Sequence, residues 1–214
     1  MAPTIQSHIL IDKISTLGVL SSPSIVKTLT QFVEKEPLVK LHASTDASGE
    51  DNITNVTTLL DNHSISQSAL SPLGVIWITD GEVQMNKTEQ LKHIIFKAMT
   101  RIITRDMALG STKKPAEKSY RPFGISFVRI GGNEEAGTVF RHLDDNLRHE
   151  FEEYLDTAST EVKDRYLAED DKEKYYAQCL DIVDYVELKR DEDAEVKAQK
   201  IIFGALDPDL DQKE

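Results

Sequence analysis

Hydrophobic and polar positions along the chain change period from block to block. Ser7–Ile11 is a short apolar run that predicts a strand, ending at Asp12. Ser22-Pro23 has the form of a helix start, with Ser as N-cap and Pro at the first helical position. Ile25, Val26, Leu29, Phe32 and Val33 follow on one helical face, and Pro37 stops that helix. Leu38–Ala43 predicts a second strand. Asp46–Asn62 is polar and rich in Thr, Asn and Asp, with a short helix or strand expected around Ile53–Leu60. Ser64–Pro72 reads as loop.

Leu73–Thr79 is the clearest strand. It is apolar on both faces, as a central strand covered by helices must be, and it stops at Thr79-Asp80-Gly81. Thr88–Thr104 predicts an amphipathic helix, with Leu91, Ile94, Ile95, Ala98, Met99, Ile102 and Ile103 on one side. A solvated connection over Gly110–Tyr120 leads to a strand at Phe123–Ile130 and a turn at Gly131-Gly132. Glu134–Leu147 predicts a helix, Arg148–Gln178 a charged helical insertion, Leu180–Val186 a last strand and Ala194–Leu206 a last helix. Strand and helix alternate throughout. The expected fold is therefore α/β: a Rossmann-like, doubly wound, mainly parallel sheet with helices on both faces. One domain spans residues 1–207, with the insertion at about 148–178 and a tail at 208–214. In such sheets ligands sit at the carboxyl ends of strands, which draws attention to Asp12 and Asp80.

Charge narrows the function. With 37 acidic and 25 basic residues the formal net charge is -12, which disfavours nucleic acid and anionic lipid as partners. Cys179 is the single cysteine, so neither an intrachain disulfide nor a cysteine-based zinc site is expected. The start of the chain lacks the basic and apolar regions of a signal peptide, and no run approaches the roughly 20 apolar residues of a membrane span. The expected location is cytoplasmic. The Asn-x-Ser/Thr matches at Asn52, Asn55, Asn62 and Asn86 are accordingly read as chance.

Three stretches, in order, resemble the von Willebrand factor A (VWA) family. Leu10-Ile11-Asp12-Lys13-Ile14-Ser15-Thr16 takes the place of the family's Asp-x-Ser-x-Ser signature after strand one. Val75-Ile76-Trp77-Ile78-Thr79-Asp80-Gly81-Glu82 is similar to its central strand and Thr-Asp-Gly. Ile125–Asn133, followed by Phe140–Leu147 with its Leu-Asp-Asp-x-Leu stretch, is similar to its strand–glycine–helix element. Asp181–Val186 with the final helix is a weaker fourth match. The resemblance is to intracellular VWA proteins of the kind found in fungi and bacteria.

Such a resemblance implies a protein-interaction module rather than an enzyme, built round a metal-ion-dependent adhesion site (MIDAS). Mg²⁺ or Mn²⁺ in such a site is held by hard oxygen donors, and an acidic side chain of a partner completes the octahedron. Carried over, Asp12 and Asp80 are the carboxylates and Thr16 keeps the second hydroxyl. Ile14 falls on the first serine position and supplies no oxygen. Ser66, with Ser68 beside it, stands where the family presents a threonine, and the helix that normally follows is expected to be short or missing. The motif is therefore degenerate.

Rival readings attach to the same residues. Asp12 and Asp80 could cap helix or turn N–H groups without a cation. Asp12 and Thr16 also suit a metal-dependent phosphohydrolase with Asp12 as nucleophile, but Ile14 occupies the place of its second aspartate. A decayed VWA paralogue that folds without binding a cation is the third reading. Gly131-Gly132-Asn133 lacks the pattern of a phosphate loop. The six histidines show no metal-ligand spacing, and Trp77 is expected in the core. Tyr154, Tyr166, Tyr175 and Tyr176 could anchor a partner on the charged stretch or pack it against the domain.

Overall fold

The computed structural model describes residues 6–11, 39–43, 50–65, 72–79, 85–108, 121–130, 134–158, 181–188, 200–201 and 205–206. They form five strands and three long helices: β1 (Gln6–Ile11), β2 (Val39–Ala43), α1 (Glu50–Ile65), β3 (Leu73–Thr79), α2 (Met85–Ala108), β4 (Phe123–Ile130), α3 (Glu134–Ala158) and β5 (Val183–Leu188). The strands make one sheet in the order β2-β1-β3-β4-β5, and every pairing is parallel. This is the doubly wound α/β arrangement expected from the alternation of elements.

Strand alternation sorts the sheet residues into two faces. Leu10, Trp77, Phe127 and Tyr185 stand in register across four strands on one face. Ile9, Ile76, Ser126 and Asp184 form the neighbouring row on the other. The connections β2→β3, β3→β4 and β4→β5 all run in one direction across the sheet. Right-handed crossovers therefore place α1, α2 and α3 on the same face. Ile53, Val56 and Leu60 of α1, Leu91, Ile95 and Met99 of α2, and Phe140, Leu147 and Phe151 of α3 share a core with Trp77 and Phe127. The opposite face is buried too, at Ile9, Ile76, Ile78 and Val128. Ala205 lies against Gly124 there, so closely that a Cβ on Gly124 would overlap the Ala205 carbonyl. Lys200 reaches the buried Asp184 on that side, at 3.8 Å.

Two strands, β3 and β4, have the bounds their apolar runs predict. Other elements differ, with a physical reason each time. The polar segment around Ile53–Leu60 is a full helix, α1, that extends through Ser64 and Ile65. Its threonines fit because Thr57 and Thr58 return their hydroxyls to the carbonyls of Ile53 and Thr54. α1 ends at Ile65, ahead of Ser66, so it is not the helix expected to be short or missing after Ser66; residues 66–71 lie outside the described residues. α2 is longer at both ends than its apolar stripe. α3 does not end at Leu147: it runs on to Ala158, and Phe151 and Leu155 are buried core residues. Residues 148–158 of the charged stretch are therefore part of this helix. Tyr154 is half-buried and packs on Phe96 and Phe151. β5 starts later than its apolar run suggests, at Val183, and carries Asp184 and Glu187 within the sheet. The helix predicted over Ser22–Glu36, the turn at Gly131-Gly132, the rest of the charged stretch, Cys179 and the tail lie outside the described residues.

Candidate functional site at the carboxyl edge of the sheet

The strand order reverses between β1 and β3. From β1 the chain goes to β2 on one side, and from β3 to β4 on the other. A crevice opens at the carboxyl ends of two strands whose connections diverge in this way. The register sets Ile11, the last residue of β1, opposite Ile78, and β3 ends one residue later at Thr79. Asp12 and Asp80 follow these ends in sequence. They lie outside the described residues, as do Thr16 and Ser66.

Next to that point, the edge is polar but buried. Thr79 is fully buried and in register with Arg129 of β4, which in turn faces Glu187 of β5. Arg129 is only 2 % exposed. Its Nε donates to the Tyr185 hydroxyl at 2.8 Å, and its terminal nitrogen donates to the Glu187 carboxylate. A buried guanidinium is tolerable only with such partners, because desolvation of an isolated charge is prohibitive. Phe140 lies between Phe127 and Tyr185, stacked on both. Arg141 sits over the Tyr185 ring, 5.7 Å from its centre. Asp144 accepts the Tyr185 main-chain N–H at 3.3 Å, covering a donor of edge strand β5. The first aspartate of the Leu-Asp-Asp-x-Leu stretch thus ties α3 to the sheet.

Sequence pattern alone does not assemble this network. Its signal was present: one arginine in the apolar run Phe123–Ile130, and two acids at Asp184 and Glu187 within the last strand. Which acid would meet the arginine depended on strand register, and that is a tertiary property.

A second polar cluster joins the outer sides of α2 and α3. Lys92 bridges Glu89 at 2.6 Å and Glu150 at 2.8 Å, and the other Glu150 oxygen meets His142 at 2.8 Å. Burial pushes the Glu150 carboxyl up, but the hydrogen bond and charge of Lys92, then those of His142, outweigh it and hold the carboxyl below its ordinary value. For Lys92 burial acts downward, and its bonds to Glu150 and Glu89 raise it overall. At the opposite, amino edge of the sheet, buried Arg121 pairs with Asp181 at 2.6 Å, and His63 hydrogen-bonds the Pro122 carbonyl at 2.8 Å. These contacts tie loops and helix ends to the sheet, away from the switch point.

Among the described residues, no group of three or more His, Cys, Asp or Glu is placed to hold a metal ion, and no helix is long and apolar enough to cross a membrane. Asn52 is fully buried, so it is closed to glycan attachment in the folded protein. Fold and edge together define a doubly wound α/β protein. Comparison with protein-family models, with curated proteins and with solved structures returned no match.

Proposed function

We propose that the chain is a VWA-type protein-interaction module that docks a partner at the carboxyl edge of its sheet. Asp12, Thr16 and Asp80, with Ser66, are the oxygen donors for Mg²⁺ or Mn²⁺ in this reading, and an acidic side chain of the partner completes the coordination. The observation that carries it is the adjacency of β1 and β3. Their ends at Ile11 and Thr79 are neighbours at the switch point, and each is followed by an aspartate. Two carboxylates leaving adjacent parallel strands suit a shared divalent cation, and without one they would repel.

Ile14, in the place of an oxygen ligand, favours weak or partner-assisted cation binding. Calorimetric titration of Mg²⁺ and of Mn²⁺ into the wild type and Asp80→Ala tests the reading. Saturable heat that the substitution abolishes is the expected result. Absence of heat in both proteins would leave a cation-independent or decayed module, and turnover of a phosphomonoester would replace docking by hydrolysis.

A further inference from the structure

α2 returns from the carboxyl end of β3 toward the amino end of β4, so its first turn stands at the carboxyl edge of the sheet. A helix N-terminus presents partial positive charge and N–H groups without intrahelical acceptors. Acidic residues are favoured there, yet α2 has none in its first turn. It has instead two buried polar side chains, Lys87 at 8 % and Thr88 at 7 % exposure.

Thr88 falls on the stripe of Leu91 and Ile95, whose side chains are in the core against the sheet. Helical side chains lean toward the helix N-terminus, so the Thr88 hydroxyl is aimed between the first turn and the strand ends. That hydroxyl is buried and makes no hydrogen bond within the protein. A buried polar group left in this state points to a partner other than the chain itself, a water or an ion.

We propose that the first turn of α2 binds an oxyanion, a carboxylate or a phosphate group, with the Thr88 hydroxyl as donor and Lys87 as counter-charge. The site gives a chain of net charge -12 a local seat for a negative group. No metal takes part, so it stands apart from the cation reading. Where that reading holds, this seat receives the partner's acidic group beside the cation.

The test titrates inorganic phosphate and, separately, succinate into the full chain by calorimetry, with EDTA present and ionic strength matched by potassium chloride. Thermal unfolding is followed in parallel. Saturable binding and a rising Tm are expected, with binding weakened about tenfold or more in Thr88→Val and in Lys87→Met. Tighter phosphate binding assigns a phosphate group, and tighter succinate binding a carboxylate. Without anion, Thr88→Val should melt no lower than the wild type, because it deletes an unpaired hydroxyl. The proposal is overturned if neither anion saturates, if both variants bind as the wild type does, or if the anion-free Thr88→Val protein melts lower.

Discussion

Arg129 and Glu187 face each other in register across β4 and β5, and the guanidinium of the first, almost fully buried, donates to the carboxylate of the second. The pair sits one strand from Thr79, the last residue of β3. It therefore sets the shape of the carboxyl edge beside the switch point. Replacing Arg129 by Met removes the donor to both Tyr185 and Glu187. We expect a loss of about 2 kcal/mol, because the acceptors remain partly enclosed. Glu187→Gln should cost less than Arg129→Met, since Glu187 is 31 % exposed and an amide still accepts a bond. Urea unfolding of both variants checks the order, and a cheaper Arg129→Met would show that the pair contributes little.

Gly137 of α3 lies over this network. A Cβ there would stand 3.0 Å from the Tyr185 hydroxyl and 3.2 Å from the Arg129 guanidinium carbon. Gly→Ala in a helix interior ordinarily stabilises by about 1 kcal/mol. At Gly137 the added methyl must push the network aside, so the usual gain should vanish. A full gain in a denaturant titration of Gly137→Ala would contradict this.

Gly124 is a stricter case, because its missing Cβ makes room for the main chain at Ala205. Backbone yields less readily than a side-chain tip. Gly124→Ala should destabilise by about 1–3 kcal/mol and loosen residues 205–206 first. Hydrogen exchange at the Arg121 N–H, which donates to the Leu206 carbonyl at 3.0 Å, reports that loosening directly.

The Lys92–Glu150–His142 cluster makes stability depend on pH with a definite sign. Glu150 has a lowered pKa in the folded protein, so the unfolded chain binds its proton more readily. Its contribution is present above the ordinary glutamate range and is lost as pH falls through the folded value. Lys92 is raised, so its contribution is present below the ordinary lysine range and is lost as pH rises through the folded value. Unfolding free energies measured across pH should show a flatter acid limb in Glu150→Gln and a flatter alkaline limb in Lys92→Met. Unchanged slopes would remove the cluster from the account.

Trp77 packs 5.6 Å from Phe127, and its buried indole N–H makes no hydrogen bond within the protein. Trp77→Phe loses volume but also an unpaired donor. We expect a cost of about 1–2 kcal/mol, well below the roughly 3–5 kcal/mol of Phe127→Ala, whose ring also packs on Phe140. Equal costs in thermal melts would contradict the offset.

Local pattern made much of the fold legible. A continuous apolar run determined β3, since a strand covered on both faces has few polar positions to blur its ends, and β4 was legible in the same way although Ser126 and Arg129 interrupt its run. Alternation of strand and helix determined the parallel, doubly wound class. Periodicity failed where a helix owes its stability to packing on one side and its composition to solvent on the other. α1 is rich in Thr and Asn, yet it folds because Ile53, Val56 and Leu60 reach the core. The far half of α3 is dense in charge, yet Phe151 and Leu155 bind it to α2 and the sheet.

The candidate site divides in the same way. Asp12 and Asp80 were visible from sequence as the residues after two apolar runs. That those runs are neighbours, with Ile11 opposite Ile78, was decided by strand order and register. Arg129 meets Glu187 for the same reason. Which residues are apolar is written locally, but which polar residues share a place is settled only when right-handed crossovers bring distant segments together.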